Sequence, residues 1–227
     1  MGIDYLYDLL DYKIYHIDEI SSTNTFFKEN YDKYKDKSVL ICDKQTNGYG
    51  RLDHKWISDN DLTFSILYNH KNNYLLVPLS VIYALKKYKI DSKIKWPNDI
   101  FIDNIKIGGI LIEDIYLDKF ISSIVGIGID LSKKEEFNVL SFDKLFSLDK
   151  YDLLNNIIIS YEELSKLDDK KILSLYKENS LVINKNFYYN DKLYKCIDID
   201  DNGNIIAKYD DKIVNVSSGD IKIKWEL

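Results

Sequence analysis

Six of the nine glycines in this 227-residue chain fall in three pairs, Gly48/Gly50, Gly108/Gly109 and Gly126/Gly128. Arg51, the only arginine, directly follows the first pair, while lysine carries the rest of the positive charge. A guanidinium is a planar, permanently charged fork that grips phosphate or carboxylate at two points; a lysine cannot do this. On a polar loop whose backbone N–H groups can turn toward an anion, it points to an oxyanion passing here. Two of the three tryptophans, Trp56 and Trp96, and one of the two prolines, Pro97, flank the same segments. A drift of composition toward Lys and Ile would not gather its exceptions this way. We read the three segments as one site.

Familiar alternatives fit poorly. The loop from Gln45 to Trp56 lacks the Gly-Lys-Ser/Thr ending of a phosphate-binding Walker loop. No Gly-x-Gly-x-x-Gly occurs in a βαβ setting, so a dinucleotide fingerprint is absent. His16, His54 and His70 make no zinc spacing, and there is no serine-nucleophile elbow. The acidic pair Glu162/Glu163 lies in a helical, solvated stretch.

The segment 94–115 reads as a hairpin turning at Asp103-Asn104. In that register Ile102 opposes Ile105, Phe101 opposes Lys106, Ile100 opposes Ile107 and Asp99 opposes Gly108. Opposed residues share a face and faces alternate along each strand. Ile100, Ile102, Ile105 and Ile107 then form a core face. Asp99, Phe101, Lys106 and Gly108 form the other, with Asp99 and Lys106 diagonal beside a bare glycine. The same pattern fits an ordinary solvated hairpin face. In 125–130, Val125, Ile127 and Ile129 alternate with Gly126, Gly128 and Asp130. That face is stripped for close approach of a ligand or of another backbone.

The elements that must position these residues follow from periodicity. Strands are expected at 12–17, 39–44, 62–68, 94–96, 99–102, 105–115 and 120–130. Helices are expected from a cap at Ser21, Ser22 or Thr23 to about residue 34, and at 75–89, 152–167 and 170–182. From about residue 184 the texture changes to short β segments at 187–189, 193–199, 205–209, 213–216 and 221–225, with turns such as Asp201-Asn202-Gly203-Asn204. This predicts a small β-barrel after a helical linker, giving domains at 1–183 and 184–227. No period of 20–50 residues exists, so a repeat fold is excluded.

Hydrophobic content of 45% supports a packed core. A net charge of −6 argues against a general nucleic-acid binder. Cys42 and Cys196 sit in apolar, strand-like surroundings and read as reduced core residues. The start lacks a basic region followed by a long apolar run, and Leu6 stands where a myristoylation signal wants Ser or Thr. No stretch of about 18 apolar residues occurs. A cytoplasmic location is expected.

Four segments line up in order: Ser22-Thr23-Asn24, then Gln45…Gly48-x-Gly50-Arg51…Trp56, then Lys95-Trp96-Pro97-Asn98-Asp99…Lys106-x-Gly108-Gly109-Ile110-Leu111, then Gly126-Ile127-Gly128-Ile129-Asp130. Together they resemble the biotin–protein ligases over nearly the whole chain, and the Lys-Trp-Pro-Asn-Asp run with its continuation is the most specific part. Ser218-Gly219-Asp220-Ile221-Lys222-Ile223 resembles the family's C-terminal barrel segment. The resemblance implies an α+β fold: a mixed sheet with flanking helices, like class II aminoacyl-tRNA synthetases and biotin ligases, plus an SH3-like barrel. It implies formation of biotinyl-5'-AMP from biotin and ATP with Mg²⁺, then transfer to a lysine of a biotin carboxyl carrier protein or carboxylase domain. It implies Lys106, Arg51 and Asp99 as catalytic, with Asp99 also meeting Mg²⁺. Biotin contacts fall on Ser22, Thr23, Asn24, Gln45, Gly48, Tyr49, Trp96 and Gly109. ATP or adenylate contacts fall on Gly50, Arg51, Asn98, Lys106, Gly126, Gly128 and Asp130.

The family often reads Gly-Arg-Gly-Arg-x-Gly-Arg where this chain has Gly48-Tyr49-Gly50-Arg51-Leu52-Asp53-His54, and Asp130 replaces a usual Asn. The chain starts at the catalytic region, so a ligase without a repressor role is expected, with neither DNA nor membrane as partner and a homodimer left open. A lipoate–protein ligase shares the fold and adenylate chemistry, but its Arg-Arg-x-x-Gly-Gly-Gly motif is missing. A non-catalytic biotin sensor is the alternative outside enzymes.

Overall fold

The computed structural model describes residues 2–132 and 142–225. In chain order the elements are β1 (Asp4–Leu9), β2 (Tyr12–Ile20), α1 (Thr23–Asn30), β3 (Ser38–Gln45), β4 (Ser58–Tyr68), α2 (Leu76–Lys87), β5 (Lys93–Lys95), β6 (Asp99–Ile102), β7 (Ile105–Tyr116) and β8 (Phe120–Ile129). Then come α3 (Asp143–Phe146), α4 (Lys150–Leu164), α5 (Asp169–Glu178), β9 (Asn186–Tyr189), β10 (Lys192–Ile199), β11 (Ile205–Tyr209), β12 (Lys212–Val216) and β13 (Lys222–Ile223).

Eight strands form a mixed sheet in the order β1-β2-β3-β4-β8-β7-β6-β5. Among the described strands β2 and β3 are the pair that runs parallel, and α1 is their crossover. β3 shows why both faces must be covered. Val39 and Ile41 enter the main core with α2 and α4, whereas Leu40 and Cys42 join Phe27 of α1 on the opposite face. A strand buried on both faces therefore reads as a continuous apolar run. Phe27 is fully buried, so its truncation to Ala would cost about 3–5 kcal/mol. Burial pushes the Cys42 and Cys196 thiols up to about 12, and both cysteines are free, as expected.

The second sheet is antiparallel, in the order β12-β11-β10-β9-β13. Phe187, Cys196, Ile199 and Ile205 from this sheet share the main hydrophobic core. A hydrogen bond fastens the two parts: Trp96 Nε1 donates to the Gly203 carbonyl at 2.7 Å.

Several expectations need correction. β1 and the short α3 were not foreseen, and the last strand shortens to Lys222–Ile223. The hairpin at Asp103-Asn104 keeps the pairs Ile102–Ile105 and Phe101–Lys106, but an irregularity between Ile100 and Phe101 then shifts the register. Ile100 pairs with Gly108 and Asp99 with Gly109. The bulge lets Ile107 stay in the core while Gly109, not Gly108, takes the place beside Asp99 and Lys106. Phe101 is also buried rather than on an open face.

Candidate functional site

One cavity of about 290 Å³ gathers residues from all the glycine-containing segments. Its polar wall begins where β2 meets α1. Ser22 caps α1, its Oγ accepting from the Thr25 N–H at 3.4 Å. Gln45, at the end of the neighbouring β3, accepts the Thr23 N–H through Oε1 at 2.8 Å. The β2–α1 turn and the β3 end thus satisfy each other's backbone and side-chain groups. Behind them, Ser65 Oγ lies 2.7 Å from Thr23 Oγ1 and 2.5 Å from Asn24 Oδ1.

The loop 46–57 covers this wall. Its Thr46 and Asn47 N–H groups donate to the Ile20 and Ser21 carbonyls, both at 2.9 Å, and the Trp56 N–H donates to the Gly48 carbonyl at 2.9 Å. Gly48 is required by packing: a Cβ there would sit 2.5 Å from Gln45 Nε2 and 2.7 Å from the Trp56 carbonyl. The Trp56 indole lies against the bare Gly128, where any side chain would collide with it. A like relation holds between Gly126 and Asn24. Tyr49 Oη donates to Glu113 Oε2 at 3.0 Å.

The other end is cationic. Lys106 Nζ lies 2.7 Å from Asp99 Oδ1, and Lys95 Nζ lies 3.5 Å from Asp99 Oδ2. The Lys106 side chain is 47% exposed against 17% for Asp99, so the ammonium is reachable while its carboxylate partner is held. Arg51 donates to Asn98 Oδ1 at 3.4 Å and to the Gly219 carbonyl at 3.5 Å, and lies 3.7 Å from Asp220. Asn98 donates in turn to the Ile110 carbonyl. Beneath this end, Tyr176 donates to the Pro97 carbonyl at 3.1 Å; burial, with the Asp99 charge adding to it, pushes its hydroxyl pKa up and keeps it a donor.

The profile of the biotin/lipoate A/B protein ligase family matches residues 17–130. The chain belongs to this family. Among relatives, it is 28% identical over 239 residues to the bifunctional ligase/repressor BirA of Bacillus subtilis, covering 92% of this chain and 73% of that protein. It is 29% identical over 136 residues to the chloroplastic biotin–protein ligase 1 of Arabidopsis thaliana, covering 54% of this chain and 37% of that one. The chain thus spans less than half the length of the two Arabidopsis ligases it matches, 37% and 41%. Among solved structures, the biotin protein ligase of Aquifex aeolicus in complex with biotin and ATP superposes with a TM-score of 0.75 at 24% identity, over 94% of this chain and 99% of that one. The mixed sheet with flanking helices is the biotin protein ligase fold, and the C-terminal antiparallel sheet is consistent with the expected SH3-like unit.

In this family member the cavity brings together Ser22, Thr23, Asn24, Gln45, Tyr49, Gly50, Arg51, Asn98, Asp99, Lys106, Gly109, Gly126 and Gly128. Three expected positions stand apart. Trp96 is buried and spends its indole N–H on Gly203, so it braces the second sheet and does not line the cavity. Gly48 works from behind the wall by admitting Gln45. Asp130 is buried, and its backbone N–H donates to the Ile107 carbonyl at 2.7 Å. Lining residues not foreseen as site residues include Trp56, Lys95, Asp220 and Lys222. Trp56 and Lys95 carried a signal, sitting at the edges of the glycine-containing segments. Lys222 and Asp220 carried only a likeness in the C-terminal segment, and Thr63 and Phe64 carried none.

Proposed function

We propose that the chain is an ATP-dependent biotin–protein ligase. The observation that carries this is one cavity with two chemically different ends: a wall of neutral hydrogen-bonding groups at Thr23 and Gln45, and a cationic end with Lys95 and Lys106 around Asp99 and Arg51 on Asn98. The wall suits a cyclic urea, and the cations suit a carboxylate meeting a triphosphate. Joining these anions needs charge that cancels their repulsion and steadies the transition state.

In the first step a biotin carboxylate oxygen attacks the α-phosphorus of ATP. The bond to the β-phosphate oxygen breaks, and pyrophosphate leaves with its electron pair. Lys106 and Arg51 stabilise charge on the phosphoryl oxygens, while the bare strands at Gly109, Gly126 and Gly128 admit the adenylate. In the second step a lysine amine of a biotin carboxyl carrier domain attacks the acyl carbon and AMP leaves. Asp99 accepts the proton that the amine loses. With two lysines beside it, its larger contribution is to aim Lys106. At this end of the cavity the Asp99 carboxylate is already shared by two ammonium groups. That set fits Mg²⁺ delivered on the phosphates and touched by Asp99, not an all-protein cage. The ion would supply charge neutralisation.

The Aquifex aeolicus ligase with this fold was solved with biotin and ATP, and the biotin acetyl coenzyme A carboxylase synthetase of Helicobacter pylori with biotinylated ATP. Both support the reading. So does the polar wall against the lipoate alternative that the family also holds, since a dithiolane has no N–H donor or carbonyl acceptor for Thr23 and Gln45 and only weakly accepting sulfurs. Among the described residues no helix is long and apolar enough to cross a membrane. We place the reaction in the cytoplasm, on a catalytic domain at 1–183 with a barrel at 184–227. ATP–pyrophosphate exchange tests the assignment: exchange should require biotin, and exchange driven by lipoate alone would overturn it.

A further inference from the structure

We propose that Glu113, which stands outside the cavity, is a positioning residue that sets the hydrogen-bonding sense of the biotin wall through Asn24, Ser65 and Thr23. This rests on the biotin reading above. Glu113 accepts from Asn24 Nδ2 at 2.8 Å, from Tyr49 Oη at 3.0 Å and from Lys28 Nζ at 2.5 Å. A carboxylate only accepts, so the Asn24 atom facing it must be the NH₂ group. Asn24 Oδ1 therefore faces Ser65 and can only accept.

Ser65 has one proton, and the 2.5 Å contact to Asn24 Oδ1 takes it. The 2.7 Å contact between Ser65 Oγ and Thr23 Oγ1 then needs the Thr23 proton. That assignment is better than sending it 3.2 Å to Gln45 Oε1, which already accepts the Thr23 N–H. With its proton spent inward, the Thr23 hydroxyl meets the cavity as an acceptor. Gln45, with Oε1 engaged, offers Nε2 as a donor. An acceptor beside a donor is the complement of a urea N–H beside its C=O. Hydrogen bonding to Glu113 and Tyr49 outweighs burial and raises the Lys28 pKa, so Lys28 stays charged beside Glu113.

The sense of the relay can be inverted. In Glu113→Gln, Lys28 claims the amide oxygen, so NH₂ turns toward Asn24. Asn24 flips, Ser65 donates to Thr23, and the Thr23 proton is released into the cavity against the urea N–H. Removing Lys28 as well frees the glutamine to present oxygen to Asn24 again.

The test is calorimetric titration of biotin into the full chain and its variants. Glu113→Gln should weaken biotin binding about tenfold, Lys28→Met alone should change it less than about twofold, and Glu113→Gln with Lys28→Met should recover most of the loss. A residue that merely supports the fold predicts the double variant to be the worst. Ser65→Ala, which cuts the relay without touching Glu113, should also lose about tenfold and serves if Glu113→Gln does not fold. Unchanged binding in either single relay variant, or a double variant no tighter than Glu113→Gln, overturns the relay. A wild-type chain that binds no biotin overturns the functional reading itself.

Discussion

Arg51 and Lys106 divide the charge problem between them. Arg51 reaches three partners from one loop position, Asn98, the Gly219 carbonyl and Asp220. It is thus the group that ties the loop to both sheets. Arg51→Lys keeps the charge and loses the fork, so biotinyl-adenylate should escape faster; a chase of preformed adenylate measures this, and an unchanged release rate would contradict it. Lys106 is half-exposed and its ion pair among the described residues is with Asp99, so Lys106→Ala should leave the melting temperature within a few degrees and cut adenylation by roughly 10²–10³. A variant that unfolds would make Lys106 structural. Arg51 was legible in the sequence because it is the only arginine, and Lys106 because it stands diagonal to Asp99 beside a glycine pair. Glu113 was not: an acidic residue on a strand looks like any solvated carboxylate until the fold puts Lys28, Tyr49 and Asn24 around it. Trp96 misled for the opposite reason. It sits in the most specific motif, yet its side chain turns into the junction with the second sheet.

At the scale of elements, the bulge between β6 and β7 decides which glycine serves the site. Alternation alone puts Gly108 beside Asp99, because a period of two has no way to show an added residue. The observed backbone makes the two glycines different. A Cβ at Gly108 would meet the Gly128 carbonyl and Ile129 Cδ1, both at 2.6 Å. One at Gly109 would lie 3.6 Å from Asp99 Oδ1 and 3.7 Å from Lys106 Nζ, an ordinary contact. Gly108→Ala should therefore destabilise by about 1–3 kcal/mol in chemical denaturation. Gly109→Ala should fold normally and instead raise KM for ATP or biotin. Equal stability of the two variants would contradict the bulged register. Strand and helix positions were otherwise readable, since apolar periodicity is strong here. The edge strand β1 was missed because half-exposed tyrosines and aspartates give it little apolar pattern.

For the whole molecule, carboxylates fasten distant parts. Burial alone would raise the Asp43 pKa, but hydrogen bonds from Lys150 and His16 outweigh it and hold the carboxyl below its usual value. Asp198 is held low in the same way by Lys177, which joins α5 to β10. A depressed carboxylate contributes stability above its unfolded pKa of about 3.9, and that contribution is lost as pH falls through the lower folded value. Melting temperature should therefore drop below about pH 4, and Asp43→Asn with Asp198→Asn should flatten that acid limb; an unaltered limb would contradict the assignment. The change of texture near residue 184 announced the second sheet, but not that Asp220 and Lys222 would reach over the cavity, because that contact depends on how the two sheets pack. The most direct measurement of the central claim is mass spectrometry of a biotin carboxyl carrier domain incubated with this chain, biotin and ATP. One lysine of the carrier should gain a biotinyl group, with AMP released and no label when ATP is omitted. Biotin bound tightly with the carrier left unmodified would contradict a ligase and make the cavity a sensor's.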